Sequence, residues 1–150
     1  MKTTEKRVIT GFGFVLLMVL AFALFMFMTL NTVVVKGVSM FPTFKDGQRV
    51  LVCRAYWLVG PIKDKDVIVM RDKESPDNPD AYIIKRVYRM AGETVDEINC
   101  PHGWKLENGP YVVPEGKVYV LGDNRAQSED SRYFGPVDLT SILGKVVVRR

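Results

Sequence analysis

No charged residue occurs between Val8 and Val35, and across those 28 positions only Thr10, Thr29, Asn31, Thr32 and two glycines interrupt the apolar side chains. About 20 helical residues at 1.5 Å rise cross a bilayer core of roughly 30 Å, so the run predicts one membrane-spanning helix. Lys2, Lys6 and Arg7 precede it, which by the positive-inside rule puts the N-terminus in the cytoplasm and everything after Lys36 outside. A cleavable signal peptide ending at Ala21-Phe22-Ala23 is the rival reading. Leu24-Phe25-Met26-Phe27-Met28 argues against it, because the run stays apolar where a cleavage site turns polar.

Beyond Lys36 the pattern changes to short apolar stretches closed by Gly and Pro. It predicts strands over Gln48–Cys53, Asp66–Arg71, Ala81–Met90, Lys117–Leu121 and Gly144–Arg149. Polar loops are expected over Asp72–Asp80 and Ser128–Gly135, and a short helix over Val137–Leu143. The stretch 92–116, broken by Cys100-Pro101-His102-Gly103 and Asn108-Gly109-Pro110, reads as a small β insertion. Tyr56-Trp57-Leu58-Val59 is either core or an aromatic patch resting on the membrane. The expected fold is therefore mostly β: one N-terminal helix (1–35), then an antiparallel sheet or partly open barrel (36–150).

Charge narrows the function. Of the net +4, residues 1–35 carry +2 (three basic against one acidic), leaving +2 for the rest. No basic block marks a nucleic-acid footprint. Cys53 and Cys100 lack metal or redox spacing; a disulfide between them and a free core thiol at Cys53 both remain open. His102 is the single histidine, so an HExxH metal site is impossible and a Ser-His-Asp triad would depend on that one residue.

A different base is then needed for any serine nucleophile. Lys36-Gly37-Val38-Ser39-Met40-Phe41-Pro42-Thr43 follows the apolar run and holds a lone Ser between a Gly and a Pro, which restrict the bend. Lys85 lies mid-strand with Ile83 and Val87 on its face and Arg86 on the other. If Lys85 is the inward residue, desolvation lowers its pKa and suits it to general-base work; the strand alone leaves Arg86 equally eligible. A third polar cluster is Gly122-Asp123-Asn124-Arg125 followed by Ser128-Glu129-Asp130-Ser131-Arg132.

Taken together, Ser-Met-x-Pro-Thr at 39–43, Lys-Arg-Val at 85–87 and Gly-Asp-Asn-x-x-x-Ser-x-Asp-Ser-Arg at 122–132 resemble, in order, the motifs of the type I signal peptidases. The resemblance implies Ser39 as nucleophile and Lys85 as general base. Ser128 would orient the amine, Asp130 and Arg132 would hold the loop as an ion pair, and Asp123 and Asn124 would support the site. Gly37 and Ser39 would bound the oxyanion site, and Val35, Met40 and Ile84 would wall shallow pockets for small residues at −1 and −3. Departures include Gly37 where many relatives carry a serine, Gly92-Glu93 for Gly-Asp after the lysine strand, and Lys65-Asp66 for Gly-Asp before the strand at 67. The implied protein is a membrane-bound endopeptidase that cleaves signal peptides from exported preproteins on the outer face, near the secretion translocon and against lipid, without metal or cofactor. Alternatives are a related Ser-Lys processing peptidase and a catalytically silent membrane-anchored β-domain that binds exported chains.

Overall fold

The computed structural model describes residues 2–58, 60–72 and 81–147; most of the loop expected over Asp72–Asp80, and Val59, lie outside the described residues. Helix α1 spans Lys2–Thr29. Its Phe12–Thr29 window has a mean hydropathy of 2.5 and none of it is buried within the protein. At 1.5 Å per residue that window is about 27 Å long, the thickness of a bilayer's apolar core.

The helix ends six residues earlier than the apolar run. Leu30–Val34 is instead β1, an edge strand paired antiparallel with β2 (Arg49–Cys53) from Leu30↔Cys53 to Val34↔Arg49. Thr32-Val33-Val34-Val35 is β-branched throughout, which disfavours helix and suits a pleated surface. Hydropathy alone cannot separate an apolar strand from the end of an apolar helix; the sheet's first strand begins at Leu30.

Seven further strands complete the fold's sheets with these two. They are β3 (Val67–Arg71), β4 (Tyr82–Arg89), β7 (Lys117–Leu121), β8 (Val137–Asp138), β9 (Ile142–Val146), and the paired β5 (Thr94–Val95) with β6 (Tyr111–Val112), which form the core of the insertion. The main sheet runs β1-β2-β9-β3-β4-β7-β8, all neighbours antiparallel, and does not close. Both faces are covered. Val67, Val69 and Ile84 join Val35, Met40 and Phe44 in one cluster, while Ile68, Met70 and Val87 join Val118, Val120 and Ile142 in another. That double burial is why Val67-Ile68-Val69-Met70 is apolar without alternation. A third cluster of Val95, Val113, Tyr119 and Leu121 fastens the insertion to β7.

Two local expectations give way. Val137–Leu143 is not a helix: β8 leads through a single 3-10 turn, Leu139–Ser141, into β9. Seven residues are too few to sustain a helix alone, and pairing buries Val137 and Ile142 in the second cluster. The Ser128–Gly135 loop contains the short helix α2, Ser131–Phe134, capped by Asp130 and closed by Gly135. Trp57 and Leu58 sit on a 3-10 turn and are 68% and 53% exposed, so among the described residues of that stretch only Tyr56 reaches the core. Cys53 and Cys100 are both free thiols. Lys65, standing where a glycine was expected, takes φ +68° and preserves the turn.

Candidate active site

Strand β4 carries two cations back to back. Asp72 N–H donates to Ala81 O at 3.0 Å and Val87 N–H to Asp66 O at 2.8 Å, which fixes the phase of the ladder: odd-numbered residues bond β3, even-numbered ones face the other edge. On that edge β7 pairs only from Arg86 onward, opposite Leu121, so the Tyr82–Ile84 edge is left open. Side chains alternate in the perpendicular sense. Arg86 leaves toward Asp123, donating from Nε at 2.7 Å and from Nη2 at 2.6 Å, and also reaches Lys65 O and Thr43 Oγ1. Lys85 goes the other way, 4% exposed, with no ion pair or hydrogen bond to its amine among the described residues. Burial pulls its pKa below the ordinary lysine value; the charges of Asp130, Glu129 and Asp72 oppose that shift and Arg132 adds to it.

Ser39 arrives from β1 through a bend fixed by backbone bonds. Val35 N–H donates to Gln48 O at 2.8 Å, and Gly37, at φ +80°, donates its N–H to Asp46 Oδ1 at 2.7 Å. Met40 and Phe44, both 1% exposed, anchor the following turn, which includes a cis Phe41–Pro42 peptide. Ser39 is left half-buried on the rim. Asn124 ties the bend to the third motif: its N–H donates to Ser39 O at 2.9 Å and its side-chain amide to Val38 O at 3.2 Å.

The third motif folds back on the same point. Asp130, fully buried, accepts from Gly122 N–H at 3.0 Å and from Arg132 Nε at 2.9 Å and Nη2 at 3.0 Å. Burial alone would raise its pKa, but these donors hold it below the ordinary carboxylate range. Asp123 is likewise held down, against burial, by Arg86 and Thr43. A Cβ on Gly122 would lie 2.1 Å from Ser128 Oγ and 2.7 Å from Ser39 O, so only glycine lets these chains meet. Ser128 Oγ is buried with no hydrogen bond of ordinary geometry, so the expected bond to Lys85 is not formed in this structure; the hydroxyl lies close enough to the Asp130 carboxylate to help hold that group's pKa down.

Gly37, Ser39, Lys85 and Ser128 all open on one cleft of about 610 Å3, with Met70 and Ile83 on its sheet side and Tyr133, Phe134 and Val137 opposite. Asp123, Asn124, Asp130 and Arg132 stand behind it. Val35, Met40 and Ile84 do not line it; all three are buried in the first core cluster. Strand alternation accounts for Ile84, which points away from Lys85, so the apolar sheet-side residues of the cleft are Ile83 and Met70. Sequence reasoning missed the Arg86 clamp, although the Lys-Arg-Val motif contained it. It also missed Asp46, whose Asp-Gly context signalled only a turn. His102 is outside the cleft, stacked on Tyr133. No group of three or more metal-ligating side chains occurs among the described residues. A nucleophile, a desolvated amine and an unpartnered hydroxyl on one cleft can perform serine-type acyl transfer.

The chain is similar to known proteins over most of its length. The chain matches the family model "Signal peptidase, peptidase S26" over residues 7–100 and 96–150. It is 32% identical to signal peptidase I of Bacillus caldolyticus, covering 99% of this chain and 93% of that protein. It is 33% identical to signal peptidase IB of Staphylococcus aureus, covering 77% and 74%. A crystal structure of a signal peptidase I from Enterococcus faecalis is 29% identical, covering 58% of this chain and 97% of that one at a TM-score of 0.43.

Proposed function

The chain belongs to the signal peptidases of family S26, serine hydrolases that remove signal peptides, and from that premise we propose that Ser39 and Lys85 form its catalytic dyad. Neutral Lys85 takes the Ser39 proton as Oγ attacks the carbonyl carbon of the −1 residue. The tetrahedral adduct collapses to an acyl-enzyme, and Lys85 gives the proton to the departing amine of the mature chain. Lys85 then takes a proton from water, whose oxygen attacks the ester, and returns it to Ser39. The oxyanion is held by the Ser39 N–H, since the Gly37 N–H is committed to Asp46. Ser128 turns its free hydroxyl to the lysine amine once substrate closes the cleft.

The preprotein adds as a strand along the open Tyr82–Ile84 edge of β4, across from Lys36–Ser39. Alternate side chains of that strand face the Ile84 side, where Val35, Met40 and Ile84 are already packed. Little room remains there, which favours small residues at −1 and −3. The helix α1 spans the membrane with its N-terminus in the cytoplasm, so the cleft works on the outer face beside the translocon, with Phe41, Trp57 and Leu58 toward lipid.

One observation carries this reading: Lys85 is buried with no counter-ion in contact and opens on the same cleft as Ser39. The test is cleavage of a preprotein with alanine at −1 and −3, in detergent, by the wild type, Ser39→Ala and Lys85→Met. Cleavage after the −1 alanine by the wild type alone is expected. A Ser39→Ala variant that still cuts would assign the nucleophile elsewhere.

A further inference from the structure

Ser128 Oγ is buried with no hydrogen bond of ordinary geometry, yet its position matters most to Lys85. What fixes it must be its neighbours, and the short helix after it, four residues long, cannot stand by itself. Both ends of the Arg125–Phe134 segment are gripped by the insertion. At the start, Asn99 Oδ1 accepts from Arg125 Nη1 at 3.1 Å. At the end, His102 N–H donates to Arg132 O at 2.7 Å, and its ring stacks on Tyr133 at 4.4 Å with 27° between planes. Arg132 Nη2 closes the segment on itself at Arg125 O, 2.7 Å away.

Asn99 is in turn immobilised from three directions. Its carbonyl accepts from Tyr119 Oη at 2.7 Å, its Nδ2 donates to Asp96 Oδ1 at 2.7 Å, and Asp96 also accepts from the Tyr88 hydroxyl. Tyr119 and Tyr88 belong to β7 and β4, the two strands that deliver Gly122 and Lys85. The insertion thus connects the strands beneath the site to the segment above it.

We propose that the insertion is a brace for catalysis, in which Asn99 and His102 are positioning residues that hold the Ser128 segment against Lys85. The inference rests on the Ser39–Lys85 reading of the cleft and adds residues outside it. Because the brace bears on the amine side and not on the open edge of β4, its loss should act on kcat and spare KM.

The experiment uses the full chain in detergent with the alanine-site preprotein. Asn99→Ala and Arg125→Gln remove the two partners of one hydrogen bond, and Arg125 is exposed, so that variant tests the contact even if Asn99→Ala folds poorly. Each should lower kcat about tenfold with KM within about twofold, and the double variant should be no worse than the worse single. His102→Ala, which keeps the backbone bond and loses the stack, should cost about threefold. Trp104→Phe is the control: it removes the Nε1 bond to Gly109 O inside the insertion and leaves the brace contacts, so kcat should hold. Wild-type kcat in Arg125→Gln and His102→Ala, additive losses in the double variant, or an equal loss in Trp104→Phe would each overturn the brace. These rates are scored whichever residue is the nucleophile, whereas Ser39→Ala decides the dyad separately.

Discussion

The charged residues around the cleft divide into two kinds. Asp123 and Asp130 are saturated: each faces an arginine through two nitrogens, and Asp130 adds a backbone N–H. Lys85 and Ser128 are also buried but lack any such clamp: the Lys85 amine has no ion pair or hydrogen bond among the described residues, and Ser128 Oγ has none of ordinary geometry. A buried group satisfied by partners gives up its reactivity for position. A buried group left unsatisfied carries a free-energy cost that only a function can justify. The saturated half therefore sets geometry, and the unsatisfied half is where chemistry is stored.

The strongest way to break that division is to remove the reactive half. Ser39→Ala and Lys85→Met should each lower the cleavage rate by at least about 10^4-fold, measured as kcat/KM on a preprotein. Neither should weaken the fold, and Lys85→Met should strengthen it at pH 7, because it keeps an apolar stem and removes a desolvated charge. An inactive Lys85→Met that melts below the wild type would move Lys85 into the structural half.

Next in size is the converse change. Asp130→Asn removes the fully buried carboxylate of a pair whose arginine keeps 15% side-chain exposure, and breaking a buried pair costs about 3–5 kcal/mol. Arg86→Leu should cost less, about 1–3 kcal/mol, because both members of that pair keep side-chain exposure, 21% and 14%, and water can replace part of the clamp. Urea midpoints of the two variants give the order. If Arg86→Leu proves the more damaging, the Asp123 side of the site is the deeper one energetically.

Titration should separate the halves within a single protein. Lys85 has a folded pKa below its unfolded value. At pH values under both, each state holds the proton and the folded state bears the whole desolvation cost. As pH rises from the folded toward the unfolded value, the folded lysine releases its proton first, so stability increases over that window. Asp130 has the opposite consequence: its folded pKa is depressed, so its contribution is complete above the ordinary carboxylate value and is lost as pH falls through the folded one. Melting curves from acid to pH 10 should show both flanks in the wild type. Lys85→Met should lose the alkaline rise and keep the acid fall.

How much of this was readable beforehand follows the same physics. Three motifs announced Ser39, Lys85 and Ser128, and the strands over 67–71, 82–89 and 117–121 follow directly from apolar runs bounded by Gly and Pro. The boundary at Thr29 was not readable, because β1 is uncharged and largely apolar like the helix before it and only its pairing with β2 marks it as a strand. The placement of Ile84, on the face opposite Lys85 and in the first core cluster, was likewise hidden. Alternation sends neighbouring side chains to opposite faces, so Ile84 and Lys85 are adjacent in sequence and apart in space. The brace through Asn99 and His102 had no sequence signal at all, since it joins residues whose proximity is created only by the docking of the insertion on β7.

The smallest predicted effects give the sharpest comparison, because they come from two serines three residues apart in one segment. Ser131 Oγ accepts from Val120 N–H at 2.9 Å and is fully buried. Ser131→Ala leaves that N–H without an acceptor, at a cost of about 1–3 kcal/mol. Its hydroxyl is not among the groups lining the cleft, so kcat should stay within about twofold of wild type. Ser128 Oγ has no partner to abandon, and Ser128→Ala removes a buried hydroxyl that was desolvated without return. Stability should then be unchanged or higher by up to about 1 kcal/mol. The cost appears in the rate instead, where losing one positioning hydrogen bond to the lysine should lower kcat roughly tenfold or more. The two substitutions delete the same atom from the same residue type, so opposite patterns would attribute the difference to partners alone. If Ser128→Ala destabilises and Ser131→Ala does not, the hydroxyl of Ser128 is a structural group and the unsatisfied half of the site shrinks to Lys85.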